Sequence, residues 1–168
     1  MKTVRLWLYS LVCRWMPETR FFGLKVRMLR WCGAKIGTNV RINSSAIFLG
    51  NGGLIIGDDV WIGAGCRIMP VGNAHIIIGS HCDLAPEVMI LTGSHEIDKE
   101  GEHIAGKGIS ANVEIGDGCW LGARSTVLPG VSIAKKNILA AGSVMTTSSE
   151  IEKSLWAGVP AKMKKQYL

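Results

Sequence analysis

The 168 residues predict an all-β coil of short parallel strands, a parallel β-helix, preceded by a short α-helical segment. Three observations carry this: an aliphatic residue returns every six positions, a small or β-branched residue stands at the fifth position of each six, and glycine often follows the aliphatic. From residue 109 the step reads Ile109, Ile115, Leu121, Val127, Ile133, Leu139, Met145 without a slip, and upstream it gives Ile36, Ile42, Phe48, then Ile56, Ile62, Ile68, then Ile78, Leu84, Ile90. The fifth column holds Val40, Val60, Cys66, Cys82, Val88, Val113, Cys119, Ser125, Val131 and Ser143. A period of six does not suit a helix, whose ~3.6 residues per turn would carry the marks around the cylinder. It suits a short strand and a corner, with positions one and five on the same side by strand alternation. Three such strands make a triangular coil of about 18 residues, and stacked coils bury the two columns as a continuous ladder. Glycine at position two, as in Ile56-Gly57 and Leu121-Gly122, relieves crowding beside the corner. A β-sandwich would show turn signals every ~8–12 residues instead.

Two of the breaks in the count are informative. Ile68 to Ile78 is a step of ten, which places four extra residues near Val71–His75. Ile90 to Ile109 is a step of nineteen, which predicts an insertion of about 13 residues, a polar projecting loop over 96–108. That loop begins directly after His95.

The flanks lack the repeat, so the chain divides into 1–33, 34–149 and 150–168 around one core. In the first piece Val4, Leu8, Leu11, Val12 and Trp15 approximate a helical stripe until Pro17, and Phe21–Trp31 repeats the spacing with Phe22, Val26 and Leu29. Lys2, Arg5, Arg14, Arg20, Lys25, Arg27 and Arg30 face one acid there, Glu18, which accounts for much of the net charge of +6. Such a segment either caps the open first coil or lies on an anionic membrane surface, and the two are compatible. The tail is basic through Lys162, Lys164 and Lys165. No apolar run reaches the ~18 residues of a membrane span, and Arg14 ends the first apolar run without a small-residue cleavage site. The five cysteines include no C-x-x-C pair and three stand in the fifth column, so all are expected to be reduced, buried and structural. With the basic residues at the ends and no recognisable motif, nucleic-acid binding is not expected.

The hexads, Leu91-Thr92-Gly93-Ser94-His95, Ile115-Gly116-Asp117-Gly118-Cys119-Trp120-Leu121-Gly122-Ala123, Leu128-Pro129-Gly130-Val131 and Ala157-Gly158-Val159-Pro160-Ala161-Lys162 resemble the hexapeptide-repeat acyltransferases. Over about residues 34–165 the similarity is to sugar O-acetyltransferases of the maltose, galactoside and surface-polysaccharide type. The resemblance implies a left-handed parallel β-helix, a homotrimer with active sites between subunits, acetyl-CoA as acyl donor, and a carbohydrate acceptor. It implies His95 as the catalytic base; Asp98, near it in sequence, is the candidate to orient the ring, with Glu96 the alternative. Trp120 would line the coenzyme channel, Ala123, Ala141 and Thr146 would meet the pantetheine arm, and Lys162 and Lys165 the coenzyme phosphates. Thr147 stands where relatives often carry lysine, which weakens one phosphate contact, and Gly63 stands where some carry asparagine near the acceptor, so the sugar pocket must be built differently. Trp61 and Arg67, outward at position six, are candidates to line it.

The chemistry also follows from residue type. A thioester is already activated, so transfer to an alcohol needs chiefly a base for the hydroxyl proton, and imidazole suits that near neutral pH. No metal is required, because backbone N–H groups can hold the oxyanion. Serine, an amino-sugar or an antibiotic are alternative acceptors. A zinc-dependent carbonic anhydrase is the rival enzyme class; it needs three converging histidines, and His75, His81, His95 and His103 are not spaced to converge. The basic, aromatic N-terminus favours a surface-polysaccharide intermediate built at the cytoplasmic membrane, with the protein in the cytoplasm against its inner face.

Overall fold

A two-residue strand can turn one side chain inward and then must bend, and that unit is repeated along the chain. The computed structural model describes residues 1–167. The first coil is β1 (Lys35–Ile36), β2 (Arg41–Ile42) and β3 (Ile47–Phe48); the second is β4 (Gly53–Ile56), β5 (Trp61–Ile62) and β6 (Arg67–Met69); the third is β7 (His75–Ile78), β8 (Asp83–Leu84) and β9 (Met89–Leu91). A hairpin of β10 (Gly93–Ile97) and β11 (Ala105–Ser110) follows. The fourth coil is β12 (Val113–Ile115), β13 (Trp120–Leu121) and β14 (Thr126–Val127), and the fifth β15 (Ser132–Ile133), β16 (Ile138–Leu139) and β17 (Val144–Met145). The coils stack as three parallel sheets: face A is β1-β4-β7-β12-β15, face B contains β2-β5-β8-β13-β16, and face C is β3-β6-β9-β14-β17.

Each face buries one ladder. Ile36, Ile56, Ile78, Ile115 and Ile133 are paired in register on face A, Ile42, Ile62, Leu84, Leu121 and Leu139 on face B, and Phe48, Ile68, Ile90, Val127 and Met145 on face C. All are in the core, as are the fifth-position residues between them. Glycine at position two is steric: a Cβ on Gly122 would lie 2.5 Å from the Ala141 backbone nitrogen in the next coil.

Three expectations change. Ile109 is not a rung, being 45% exposed on β11; the ladder resumes at Ile115, aligned with Ile78. The insertion is therefore the whole antiparallel hairpin with its connections, rather than a loop that starts after His95, because Gly93 and Ser94 already pair with Ser110 and Ile109. The tail, which lacks the hexad, does not hang free of the prism. Instead β18 (Ser154–Gly158) adds to face B beside β16, and β19 (Ala161–Gln166) returns antiparallel to it. Buried Asn137 closes that end, its amide donating to Ser149 Oγ and the Ile151 carbonyl and accepting from Ser154 N and Oγ.

The N-terminal helices α1 (Thr3–Cys13) and α2 (Phe22–Trp31) cover the first coil. Leu6, Tyr9, Cys13, Val26, Leu29 and Cys32 join the core, and the Tyr9 ring meets Phe48 edge-on at 5.8 Å. Arg30 donates to the Ile36 and Gly37 carbonyls, and buried Lys25 donates to the Glu18 carbonyl and Ser44 Oγ, its pKa lowered by burial. In α1 the core side is Leu6, Tyr9 and Cys13; the stripe of Val4, Leu8, Leu11, Val12 and Trp15 read from the sequence faces outward and is exposed. All five cysteines are free and buried. Burial pushes the Cys66 and Cys119 thiols up to about 11 and Cys82 up to about 12.

Candidate active site

The longest interruption of the repeat is anchored at its base by one buried side chain. Thr92, fully buried after β9, accepts from the Val71 N–H at 2.8 Å through Oγ1, and its carbonyl accepts from Ala111 N at 2.9 Å. Asn51 Oδ1 accepts from Gly72 N at 2.9 Å, fixing the neighbouring bulge. These bonds hold the hairpin against the corner where face C passes into face A. His95 lies three residues beyond the anchor, paired across the hairpin with Gly108, where a Cβ would meet nothing within 4 Å. Val71, Gly72, Gly93, Ser94, His95, Gly108, Ile109 and Ser110 line one cleft.

The imidazole is exposed, and among the described residues no carboxylate lies within 4 Å of its ring nitrogens. Asp98 is engaged elsewhere: its Oδ1 accepts from the Glu100 and Gly101 N–H groups at 3.0 and 2.9 Å, shaping the hairpin turn. Glu96 follows His95 directly, at a break in the strand register between His95 and Ile97.

The other candidates fall into separate groups. Trp120, 52% exposed, stands on face B in an outward row with Ile138, Leu155 and Lys165, each paired to the next. At ~4.8 Å per strand that row sets Trp120 and Lys165 about 14 Å apart. Ala123 and Ala141 stack at the corner between faces B and C, where the Ala123 carbonyl accepts from Gly142 N. The end of β18 reaches the same corner, where Gly158 N donates to Ser143 Oγ at 3.0 Å, and Lys162 pairs with Ala157 just beyond the turn. Thr146 is exposed at the far edge of face C, after β17. One chain therefore gathers Trp120, Ala123, Ala141, Lys162 and Lys165 on face B and its corner, but leaves His95 across face C from them.

Trp61 and Arg67 do not share a pocket. Trp61 is on face B beneath α2, with Phe22 edge-on at 6.1 Å and the Arg41 guanidinium 5.4 Å from its ring. Arg67 lies in a face C groove with Met89, Thr126 and the Glu87–Arg124 pair, whose bond is 2.6 Å. That pair holds the Glu87 carboxyl below its usual range.

Residues 112–147 match the model of the bacterial transferase hexapeptide (six repeats), and 33–70 and 53–85 match the hexapeptide repeat of succinyl-transferase. WcaF of Escherichia coli (strain K12), provisionally assigned as a colanic acid biosynthesis acetyltransferase, is 33% identical over 159 residues, covering 93% of this chain and 80% of WcaF. The chain belongs to the hexapeptide-repeat acetyltransferases. The fold of this acetyltransferase is also that of a maltose O-acetyltransferase from Clostridium difficile 630, with a TM-score of 0.67 at 22% identity over 98% of this chain and 86% of the other. A galactoside acetyltransferase in complex with coenzyme A superposes with a TM-score of 0.67 at 17% identity over 97% and 79%.

The histidines of the acetyltransferase are dispersed. His75 opens β7 on face A, His81 turns a corner at φ 60 beside Asp59, His95 stands on the hairpin and His103 lies in its turn. Among the described residues no three His, Cys, Asp or Glu gather as a metal site. Sequence reasoning passed over Thr92, Val71 and Gly72 as parts of the His95 cleft. The signal was present: Ile68 and Ile90 occupy one ladder, so both interruptions follow the same face and must meet at the same corner.

Proposed function

We propose that this acetyltransferase moves the acetyl group of acetyl-CoA to a hydroxyl of a sugar or surface-polysaccharide intermediate, with His95 as general base. A ring nitrogen of His95 takes the hydroxyl proton as the oxygen attacks the thioester carbonyl. The tetrahedral oxyanion then collapses, the C–S bond breaks, and the imidazolium returns the proton to the departing CoA sulfur. General base catalysis of this kind contributes typically ~10²–10⁴-fold. The observation that carries the reading is the imidazole itself: exposed, without an acidic partner among the described residues, and standing at the base of a hairpin that Thr92 anchors.

We further propose a left-handed homotrimer in which the His95 cleft of one chain meets the Trp120, Ala123, Ala141 and Thr146 surfaces of a neighbour. Separation of His95 from Trp120, Ala123 and Ala141, which stand across face C from it on one chain, supports this. Lys162 and Lys165 are then placed for the coenzyme phosphates, and Arg67 for the acceptor. Asp98 is not given the orienting role, because its carboxylate already serves the hairpin turn. The proposed setting is the inner face of the cytoplasmic membrane, where such intermediates are built. Acetyl-CoA turnover against a panel of sugars, lipid-linked glycans and amines tests the assignment. Transfer to glycan hydroxyls supports it, and transfer confined to amines overturns it.

A further inference from the structure

Helix α1 is apolar on two opposite sides. Its inner side, Leu6, Tyr9 and Cys13, is spent on the core. Its outer side carries Val4 at 72% exposure, Trp7 at 64%, Leu8, Leu11 and Val12, and Trp15 at 84% follows in the next turn. A helix apolar all round is ordinarily buried, so the outer side calls for an apolar partner. Trp7 continues this surface into a cleft shared with Leu6, Leu49 and Gly50, and Leu49 is itself exposed. At 11 residues, α1 is about 16 Å long, and no helix among the described residues is long and apolar enough to cross a membrane.

The charges around this side choose the partner. Lys2, Arg14, Arg20 and Arg27 are exposed, and no salt bridge among the described residues involves positions 1–31. The one acid there, Glu18, accepts from Ser45 N and Oγ. Two copies meeting through α1 would bring these cations together at close range. An anionic lipid surface takes the apolar side into its acyl boundary and the cations among its headgroups. Trp7 and Trp15 are the side-chain type that anchors at that depth.

We infer that α1 is a membrane-docking helix, lying in the plane of an anionic bilayer with Val4, Trp7, Leu8, Leu11 and Trp15 inserted and Lys2 and Arg14 at the headgroups. This rests on the membrane setting proposed above and names the surface responsible. The helices thus do two things: α2 and the inner side of α1 seal the first coil, and the outer side of α1 holds the prism to lipid.

The test is sedimentation of the full chain with vesicles of phosphatidylcholine, alone or with roughly one quarter phosphatidylglycerol. Binding to the anionic vesicles only is expected. The double variant W7S/W15S should bind at least ten-fold more weakly, and Lys2→Gln and Arg14→Gln should each cost roughly five-fold. These side chains face outward, so the melting temperature and acetyl transfer to a water-soluble sugar should be retained; loss of vesicle binding with intact turnover separates this inference from the acetyl-transfer reading. No binding to anionic vesicles overturns the inference. So does equal binding by W7S/W15S, which would assign adhesion to another basic segment. A smaller assembly mass for W7S/W15S overturns it too, since the face would then join copies of the chain.

Discussion

Replacing Thr92 with valine removes one oxygen from a site with no solvent and nearly the same shape. In the wild type that oxygen accepts from Val71 N at 2.8 Å, while the Thr92–Ala111 backbone bond closes the hairpin independently. Valine leaves the half-buried Val71 N–H without its acceptor, which costs about 1–3 kcal/mol. If that cost falls on the corner rather than on the whole prism, opening of the hairpin base rises about 5- to 150-fold. His95 stands three residues away and shares its cleft with Val71 and Gly72, so its placement loosens with them. Faster hydrogen exchange at the Val71 amide is expected, with a lower kcat/KM for acetyl transfer and a modest fall in the urea midpoint. Thr92→Ser keeps the oxygen and should restore protection and much of the rate. Wild-type exchange at Val71 together with wild-type kcat/KM in T92V would refute the idea that this bond holds the site.

Further outcomes follow from the same geometry. Gly122→Ala drives a Cβ against the Ala141 backbone and should destabilise by roughly 1–3 kcal/mol, whereas Gly108→Ala enters open space and should leave the melting temperature unchanged. Asp58, Glu87 and Asp117 have depressed folded-state pKa values, through Thr38, Arg124 and Lys135 respectively as the leading hydrogen-bond partners. Their contribution is present above the unfolded values of about 4 and is lost as pH falls through the lower folded values, so the melting temperature should drop on acidification below about pH 4. The five buried thiols should resist a water-soluble thiol reagent at neutral pH and react together on unfolding in urea; rapid native labelling of Cys66, Cys82 or Cys119 would contradict their place in the ladder.

The coil was legible because its cause is local and repeated. The rungs from Ile36 to Met145 repeat one inward apolar side chain at the head of each six, and the thiols at 66, 82 and 119 fill the small column the count assigned to them. The insertion was legible in place but not in extent. Ile109 happens to keep the six-residue step, so counting took it for a rung, although strand pairing with Ser94 turns it outward. The sidedness of α1 was misleading for a related reason. Both sides of that helix are apolar, and periodicity alone cannot say which one faces the prism. Tertiary partners decided it: Phe48 and the first coil receive Tyr9 and leave Trp15 outside. At the site, His95 was readable from its motif, but its surroundings were not. Thr92, Val71 and Gly72 come together only because two breaks in the repeat fall on one corner, and Asp98 is drawn away by a turn that residue type alone does not reveal.

Substitution of His95 by alanine, with turnover of acetyl-CoA measured against the acceptor found in the panel, bears most directly on the proposed chemistry. The residue is exposed and its ring bonds to no other side chain among the described residues, so the variant should fold and melt as the wild type does. A fall in kcat of roughly 10²–10⁴-fold with the melting temperature unchanged is the predicted result. Turnover within a few-fold of wild type would contradict a base at this position and leave the β-helix without its proposed catalyst.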